Sequence, residues 1–255
     1  TGMAYVGLLP YLAHGLPDED GAPAGGARPG APRVALLAYP TASNLDEFER
    51  LEEVAELVPA REPADLDGAR LIVLPGSKHV AADLAWLRGR GLDRALEEAA
   101  AAGAPVLGIC AGLQMLGEEI VDEAGVDGSA AGLGLLPVRT VFGREKLTER
   151  VRVAFDRLER PWDGLSGLPF DGYEIRHGSS TPTGPAAEAL PGGRGFARGS
   201  VLGISVHGAL EQPDVVRALL GVAPRRPLDQ VFDELADAVE ERLDVAYLAE
   251  LAGVA

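Results

Sequence analysis

The sequence predicts an α/β fold, a doubly wound and mostly parallel sheet with a C-terminal amphipathic helix. Three observations predict it. Continuous apolar runs at Val34–Ala38, Leu71–Leu74 and Pro105–Ile109 have the length and texture of parallel strands buried on both faces. Stretches at helical spacing follow each of them, in β-α-β-α-β-α order. Near the end, Leu228, Val231, Phe232, Leu235, Val239, Leu243 and Ala246 fall on one helical stripe.

Taken in order, residues 1–21 hold a short apolar piece, Tyr5-Val6-Gly7-Leu8-Leu9-Pro10, and an acidic Asp18-Glu19-Asp20. Residues 22–32 are so rich in Gly and Pro that neither helix nor central strand can form there, so they read as a linker. The main domain runs over 33–222. A helix is expected over 45–57 through Leu45, Phe48, Leu51 and Val54, and helical pattern over 81–101 with breaks at Gly89 and Gly91. Residues 111–120 suit a helix. Beyond 130 the pattern is irregular, with candidate strands near 136–141, 150–155, 194–198 and 201–206. After a break at Arg225-Arg226-Pro227, residues 223–255 form a helical tail.

Composition narrows the function classes. The chain has 255 residues, 47% hydrophobic and 24% charged, with a formal net charge of −16. So acidic a surface repels phosphate, which argues against nucleic acid and anionic membrane as partners. One cysteine allows no internal disulfide and fits a reducing cytoplasm. No run reaches the roughly 20 apolar residues of a membrane span. The stretch opening Thr1-Gly2-Met3-Ala4 has no basic n-region and no long apolar h-region, so a signal peptide is not expected from it. A chain opening on Thr1 is expected to be part of a longer protein.

The chemistry centres on Gly108-Ile109-Cys110-Ala111-Gly112-Leu113-Gln114. It has the G-x-nucleophile-x-G layout of a strand-to-helix elbow, with cysteine as the nucleophile. The tight turn needs neighbours without bulk, and the helix N-terminus favours the thiolate. A lone cysteine is commonly a buried structural residue; the flanking glycines at a strand-to-helix junction outweigh that reading. A base is required. Of the four histidines, His14 precedes the linker, His79 follows the Pro75-Gly76-Ser77-Lys78 loop, and His177 lies in Gly172-Tyr173-Glu174-Ile175-Arg176-His177. His207 ends an apolar strand, as Cys110 does, and strand ends of one sheet edge meet. His207 is therefore the expected base and His177 its competitor. Backbone amides at Gly76-Ser77 and Ala111 are candidate halves of an oxyanion hole. No G-x-x-x-x-G-K-[ST] loop occurs, so no ATP site is recognisable, and no metal site is expected.

These residues resemble the elbow of class I, triad-type glutamine amidotransferases, whose domain is flavodoxin-like. Further stretches resemble one branch, the cobyric acid synthases. They are Ala42-Ser43-Asn44-Leu45-Asp46-Glu47-Phe48, Leu74-Pro75-Gly76-Ser77-Lys78 with Asp83-Leu84-Ala85-Trp86-Leu87, Gly132-Leu133-Gly134-Leu135-Leu136-Pro137 with Glu145-Lys146-Leu147-Thr148, Gly172-Tyr173-Glu174-Ile175, and Val206-His207-Gly208. The resemblance implies that Cys110 attacks glutamine, giving a thioester and ammonia, and that Gln114 helps hold the substrate. It implies that residues 1–21 are the remnant of an N-terminal synthetase domain, which would use ATP and magnesium and bind the corrinoid, adenosylcobyrinate diamide, mainly outside this chain. It also implies weak glutaminase activity for the chain alone, since partner contact commonly orders the oxyanion loop of such domains. Many class I enzymes follow the histidine with Pro-Glu. Here Gly208-Ala209 follow, so the third catalytic member is open, with Glu211 and Glu174 as candidates. Two other readings remain: the amidotransferase subunit of a lipid II isoglutaminyl synthase, and a catalytically silent binding module of the same fold.

Overall fold

The computed structural model describes residues 4–10, 28–224 and 228–253. His14, most of the 22–32 linker and the Arg225-Arg226-Pro227 break lie outside the described residues. Two compact units partition the chain, Asp18–Pro224 and a smaller one drawn from Thr1–Pro17 and Arg225–Ala255.

In the larger unit the first elements are β1 (Arg33–Leu37), β2 (Ala42–Ser43), α1 (Asp46–Glu49), β3 (Glu56–Ala60), β4 (Leu71–Leu74), β5 (Gly76–Ser77), α2 (Val80–Gly89), α3 (Leu92–Ala101), β6 (Val106–Ile109) and α4 (Ala111–Leu116). There follow β7 (Glu119–Val121), β8 (Ala130–Ala131), β9 (Val138–Ala154), β10 (Pro169–Pro182), β11 (Ala187–Leu190), β12 (Gly195–Arg198), β13 (Val201–Ile204) and α5 (Pro213–Leu220). The main sheet has the order β11-β12-β13-β6-β4-β1-β3. Strands β13, β6, β4, β1 and β3 are parallel, and the β12 and β11 edge is antiparallel. A second sheet, β10-β9-β7-β8, stands apart from it.

The doubly wound prediction holds because the parallel strands are buried on both faces. Alternate residues of β1 serve opposite cores: Val34 and Leu36 pack with Phe48 and Leu51, Ala35 and Leu37 with Leu84, Leu87 and Leu96. Each fully buried leucine stabilises the fold by roughly 1.5–3 kcal/mol. The expected helix over 45–57 is shorter than its spacing suggested. Only Asp46–Glu49 is α-helical, Arg50–Glu53 is a 3-10 turn, and Glu56–Ala60 turns into strand. Pro59 inside that strand is tolerated because β3 is the sheet edge. Likewise α4 stops at Leu116, and the two candidate strands at 136–141 and 150–155 are one long ribbon, β9, paired with β10.

The smaller unit joins segments the sequence reading kept apart. Gly7 bridges Leu243 antiparallel, and Asp244 N donates to Val6 O at 2.7 Å. The C-terminal stripe is two helices, α6 (Leu228–Arg242) and α7 (Val245–Ala252). They divide where Asp244 caps α7 by accepting from Tyr247 N at 3.0 Å. Among the described residues no helix is long and apolar enough to cross a membrane.

The junction of β6 and α4 has the least room. A Cβ built on Gly112 would lie 2.0 Å from Leu74 O, and one on Gly108 would lie 2.5 Å from the Gly112 carbonyl carbon. Only glycine lets strand, helix and the end of β4 approach so closely. Gly112→Ala is therefore expected to destabilise the chain by about 2 kcal/mol or more in urea unfolding. Exposed Gly89, with open space around it, is the control: Gly89→Ala should be neutral or stabilise by up to about 1 kcal/mol.

Candidate active site

Cys110 is the hinge residue between β6 and α4, with φ 55° and ψ −109°. It is one of two described non-glycine residues at positive φ, the other being Asn44. Its amide is tied to Ile204 O at 2.8 Å, and Gln114 N donates to its carbonyl at 3.3 Å. The thiol projects from the C-terminal sheet edge with Sγ 3.4 Å from Ile175 O. It is partly exposed in a cavity of about 380 Å³ that Ser43, Asn44, Ser77, Ala111, Gln114 and Arg176 help to line. The expected nucleophile, the oxyanion candidates Ser77 and Ala111, and Gln114 are therefore brought together. Gly76 is buried, and a Cβ built on it would lie 3.0 Å from Ser43 Oγ and 3.6 Å from His207 Cε1. Gln114 is buried, and its amide nitrogen donates to His177 O at 3.4 Å.

His207 follows β13 and is fully buried. Its backbone pairs with Tyr173 of β10, and the Tyr173 ring stacks on the imidazole with centroids 5.0 Å apart and planes 17° apart. Asn44 Nδ2 donates to the Tyr173 hydroxyl at 3.1 Å. His207 Nδ1 is 2.7 Å from Glu47 Oε1, and Gly208 N donates to Glu47 Oε2 at 3.1 Å. The other ring nitrogen, Nε2, is buried and makes no hydrogen bond, which leaves it open to Cys110. Burial alone would push the ring toward its neutral form. The Glu47 charge, the nearby Cys110 and the Glu47 hydrogen bond outweigh it and raise the His207 pKa to about 10. Neither of the other described histidines takes the place of His207 beside Glu47. His79 is exposed and pairs with Asp127, while His177 lines the cavity with Nδ1 against Gly143 O.

The carboxylate on His207 is neither of the two expected from the sequence. Glu174 is buried but committed to Arg176 at 2.8 Å, Arg194 at 2.9 Å and the Ser205 hydroxyl. Burial would raise its carboxyl, yet those partners hold it below the ordinary value. Glu211 lies within electrostatic range of His207 without bonding it; burial, then the charges of Glu47 and Asp46, raise its pKa to about 7. Glu47, 1% exposed and 160 residues from His207, takes the orienting position instead. The signal was present in Asp46-Glu47-Phe48, where an acidic residue follows the loop after β1 and precedes a buried phenylalanine. Asn44, Tyr173 and Asp83 also lay in the quoted motifs without an assigned role. Among the described residues no group of three or more His, Cys, Asp or Glu side chains could hold a metal ion.

The arrangement is a thiol, an imidazole and a carboxylate in series, beside a polar loop. The profile of the CobB/CobQ-like glutamine amidotransferase domain matches residues 33–215. The chain belongs to that family. The chain is 50% identical over 267 residues to a cobyric acid synthase of Paracidovorax citrulli, 47% over 265 to one of Variovorax paradoxus and 46% over 275 to one of Leptothrix cholodnii. In each case 98% of this chain is aligned, to 53–55% of the relative. The chain thus spans about half the length of these curated relatives. Two solved structures share the fold. A glutamine amidotransferase crystal structure has a TM-score of 0.53 at 19% identity, over 81% of this chain and 97% of its own. PurLQS from Thermotoga maritima has a TM-score of 0.57 at 17% identity, over 81% and 99%.

Two expectations follow for this site. Glu47→Gln should lower the glutamine-hydrolysis kcat by about 100-fold or more, while Glu211→Gln and Glu174→Gln, which leave the His207 Nδ1 contact intact, should cost far less. The folded pKa of Glu211 stands at about 7, above the ordinary carboxyl value of 4.5. Its contribution to stability is therefore present at low pH and lost as pH rises toward neutrality. Glu211→Gln should accordingly stabilise the chain more at about pH 8 than at about pH 5 in urea unfolding.

Proposed function

We propose that this chain is the glutaminase part of a cobyric acid synthase. The observation that carries the reading is the Cys110–His207–Glu47 series at the sheet edge, with the Gly76-Ser77 loop against it. The raised His207 pKa places the Cys110 proton on Nε2 before attack, and Sγ then attacks the side-chain carbonyl carbon of glutamine. Amides at Gly76-Ser77 and Ala111 face the oxygen as it gains charge. His207 then hands the proton to the leaving nitrogen, the C–N bond breaks and ammonia departs, leaving a thioester. Water attacks the thioester, His207 takes its proton and returns it to sulfur, and glutamate leaves. Glu47 holds Nδ1–H throughout, which fixes the tautomer and steadies the imidazolium. Gln114 holds the substrate beside the elbow.

In the whole protein, ammonia would pass to carboxylates of adenosylcobyrinate diamide activated with ATP and magnesium. Both activities belong to a synthetase domain in the half of the relatives' length that this chain does not span. The corrinoid would be bound mainly there. A cytoplasmic setting, which keeps Cys110 reduced, suits the chemistry. The names of the relatives support this reading over a lipid II isoglutaminyl synthase, and the intact Cys–His–Glu series supports it over a silent module.

Treatment with diazo-oxo-norleucine, a glutamine-analogue electrophile, should add one adduct mass to the chain and none to Cys110→Ser. No adduct, or equal labelling of both, would overturn the glutaminase reading.

A further inference from the structure

The loop assigned to the oxyanion is a two-residue strand, and such short ladders are weak in water. In β5, Ser77 pairs with Ala42 and Gly76 with Ser43 of β2. What steadies this ladder is a carboxylate beneath it. Asp83, in the first turn of α2, is 1% exposed. Its Oδ2 accepts from the Ser77 hydroxyl at 2.6 Å and the Thr41 hydroxyl at 2.7 Å, and its Oδ1 accepts from Thr41 N at 3.3 Å. The same two hydroxyl oxygens each accept from His79 N at 3.0 Å, and Lys78 N donates to Thr41 O at 3.0 Å. One residue upstream of β5, the buried Tyr39 hydroxyl donates to Pro75 O. Burial first, then the charges of Asp83 and Cys110, push the Tyr39 phenol well above its ordinary value, so it stays a donor. Charge-assisted hydrogen bonds of this kind are the strong ones, and inside a protein they hold backbone geometry firmly.

We propose that Asp83 is a positioning residue for the oxyanion loop. By clamping hydroxyls on both sides of the β2–β5 ladder it sets the Gly76-Ser77 amides before substrate arrives. The loop's geometry then comes from this chain's own residues, in contrast to the sequence-based expectation that partner contact orders it. Asp83 touches neither substrate nor Cys110 in this account. Its influence therefore falls on the step in which oxygen gains charge and leaves the thiol's intrinsic reactivity alone.

The inference rests on the glutaminase reading, and the experiment separates the two. Asp83→Asn, which keeps shape but loses a two-hydroxyl acceptor, should lower kcat for glutamine hydrolysis by about 100-fold, with KM changed by less than about threefold. Alkylation of Cys110 by iodoacetamide, which develops no oxyanion, should keep its rate within about twofold. Thr41→Val removes one clamped hydroxyl and leaves the Asp83 carboxylate in place, should show the same split at about 10-fold, and decides the matter if Asp83→Asn does not fold. Unchanged kcat in the folded variants would overturn the inference, and so would alkylation that falls in step with kcat. Failure of the glutaminase reading shows instead in the unsubstituted chain, as no hydrolysis and no labelling by diazo-oxo-norleucine.

Discussion

Cys110 sits at φ 55° and ψ −109°, a conformation that costs a non-glycine residue on the order of 1–3 kcal/mol and persists only where its surroundings over-determine it. Here they do. Its amide is drawn to Ile204 of β13, its carbonyl begins α4, and Leu74 of β4 closes on Gly112 from the far side. Two strands and a helix thus close on this one turn. Relaxing the turn would swing the thiol off the sheet edge and open the contact between α4 and the strands. The strain at Cys110 and the packing of the central sheet are consequences of each other, and the rest of the site is arranged around the direction in which this turn points sulfur.

That arrangement comes largely from one short stretch, residues 39–47, running off the end of β1. Tyr39 and Thr41 steady the loop containing β5, Ala42 and Ser43 pair with it, Asn44 holds the tyrosine stacked on His207, and Glu47 holds His207 itself. Asn44 is the second non-glycine residue at positive φ among those described, so both of them lie in the site. Placing the orienting carboxylate here rather than beside the histidine has an electrostatic effect. Glu47 is fully desolvated and bonded to Nδ1 and to Gly208 N, so its charge acts on the imidazole in a medium where water does little to screen it. That charge is why His207 stays a proton carrier despite complete burial, where an unpaired imidazole would be driven neutral.

The parallel sheet was legible because β1, β4 and β6 are apolar without interruption, a pattern that burial on both faces imposes. The elbow was legible because its glycines are local necessities of close approach. The edge strand β3 was hidden by Pro59, which forbids a central strand but not an edge one. The β10 strand was hidden because its side chains face different surroundings: Glu174 is paired with arginines, Tyr173 stacks on His207, and Ile175 lends its carbonyl to Cys110. No period-two apolar pattern survives such a mixture. Glu47 escaped for a different reason. Local spacing can reveal a partner a few residues from a histidine, but a carboxylate 160 residues away is brought there by topology alone.

Charge around the cavity runs against the charge of the chain. The molecule carries a formal −16, yet Lys78, Lys146 and Arg176 line the cavity that contains Cys110, with Asp127 as the acidic member of its lining. The buried acids nearby are turned away from it: Asp83 is spent on hydroxyls, Glu47 on His207 and Glu174 on arginines. An acidic surface repels anions at a distance, while a cavity lined by cations favours them once inside. Glutamine has no net charge but carries an α-carboxylate, and hydrolysis passes through an oxyanion and ends in glutamate. Cations at the cavity wall therefore favour the substrate's carboxylate and the charge that develops at the elbow.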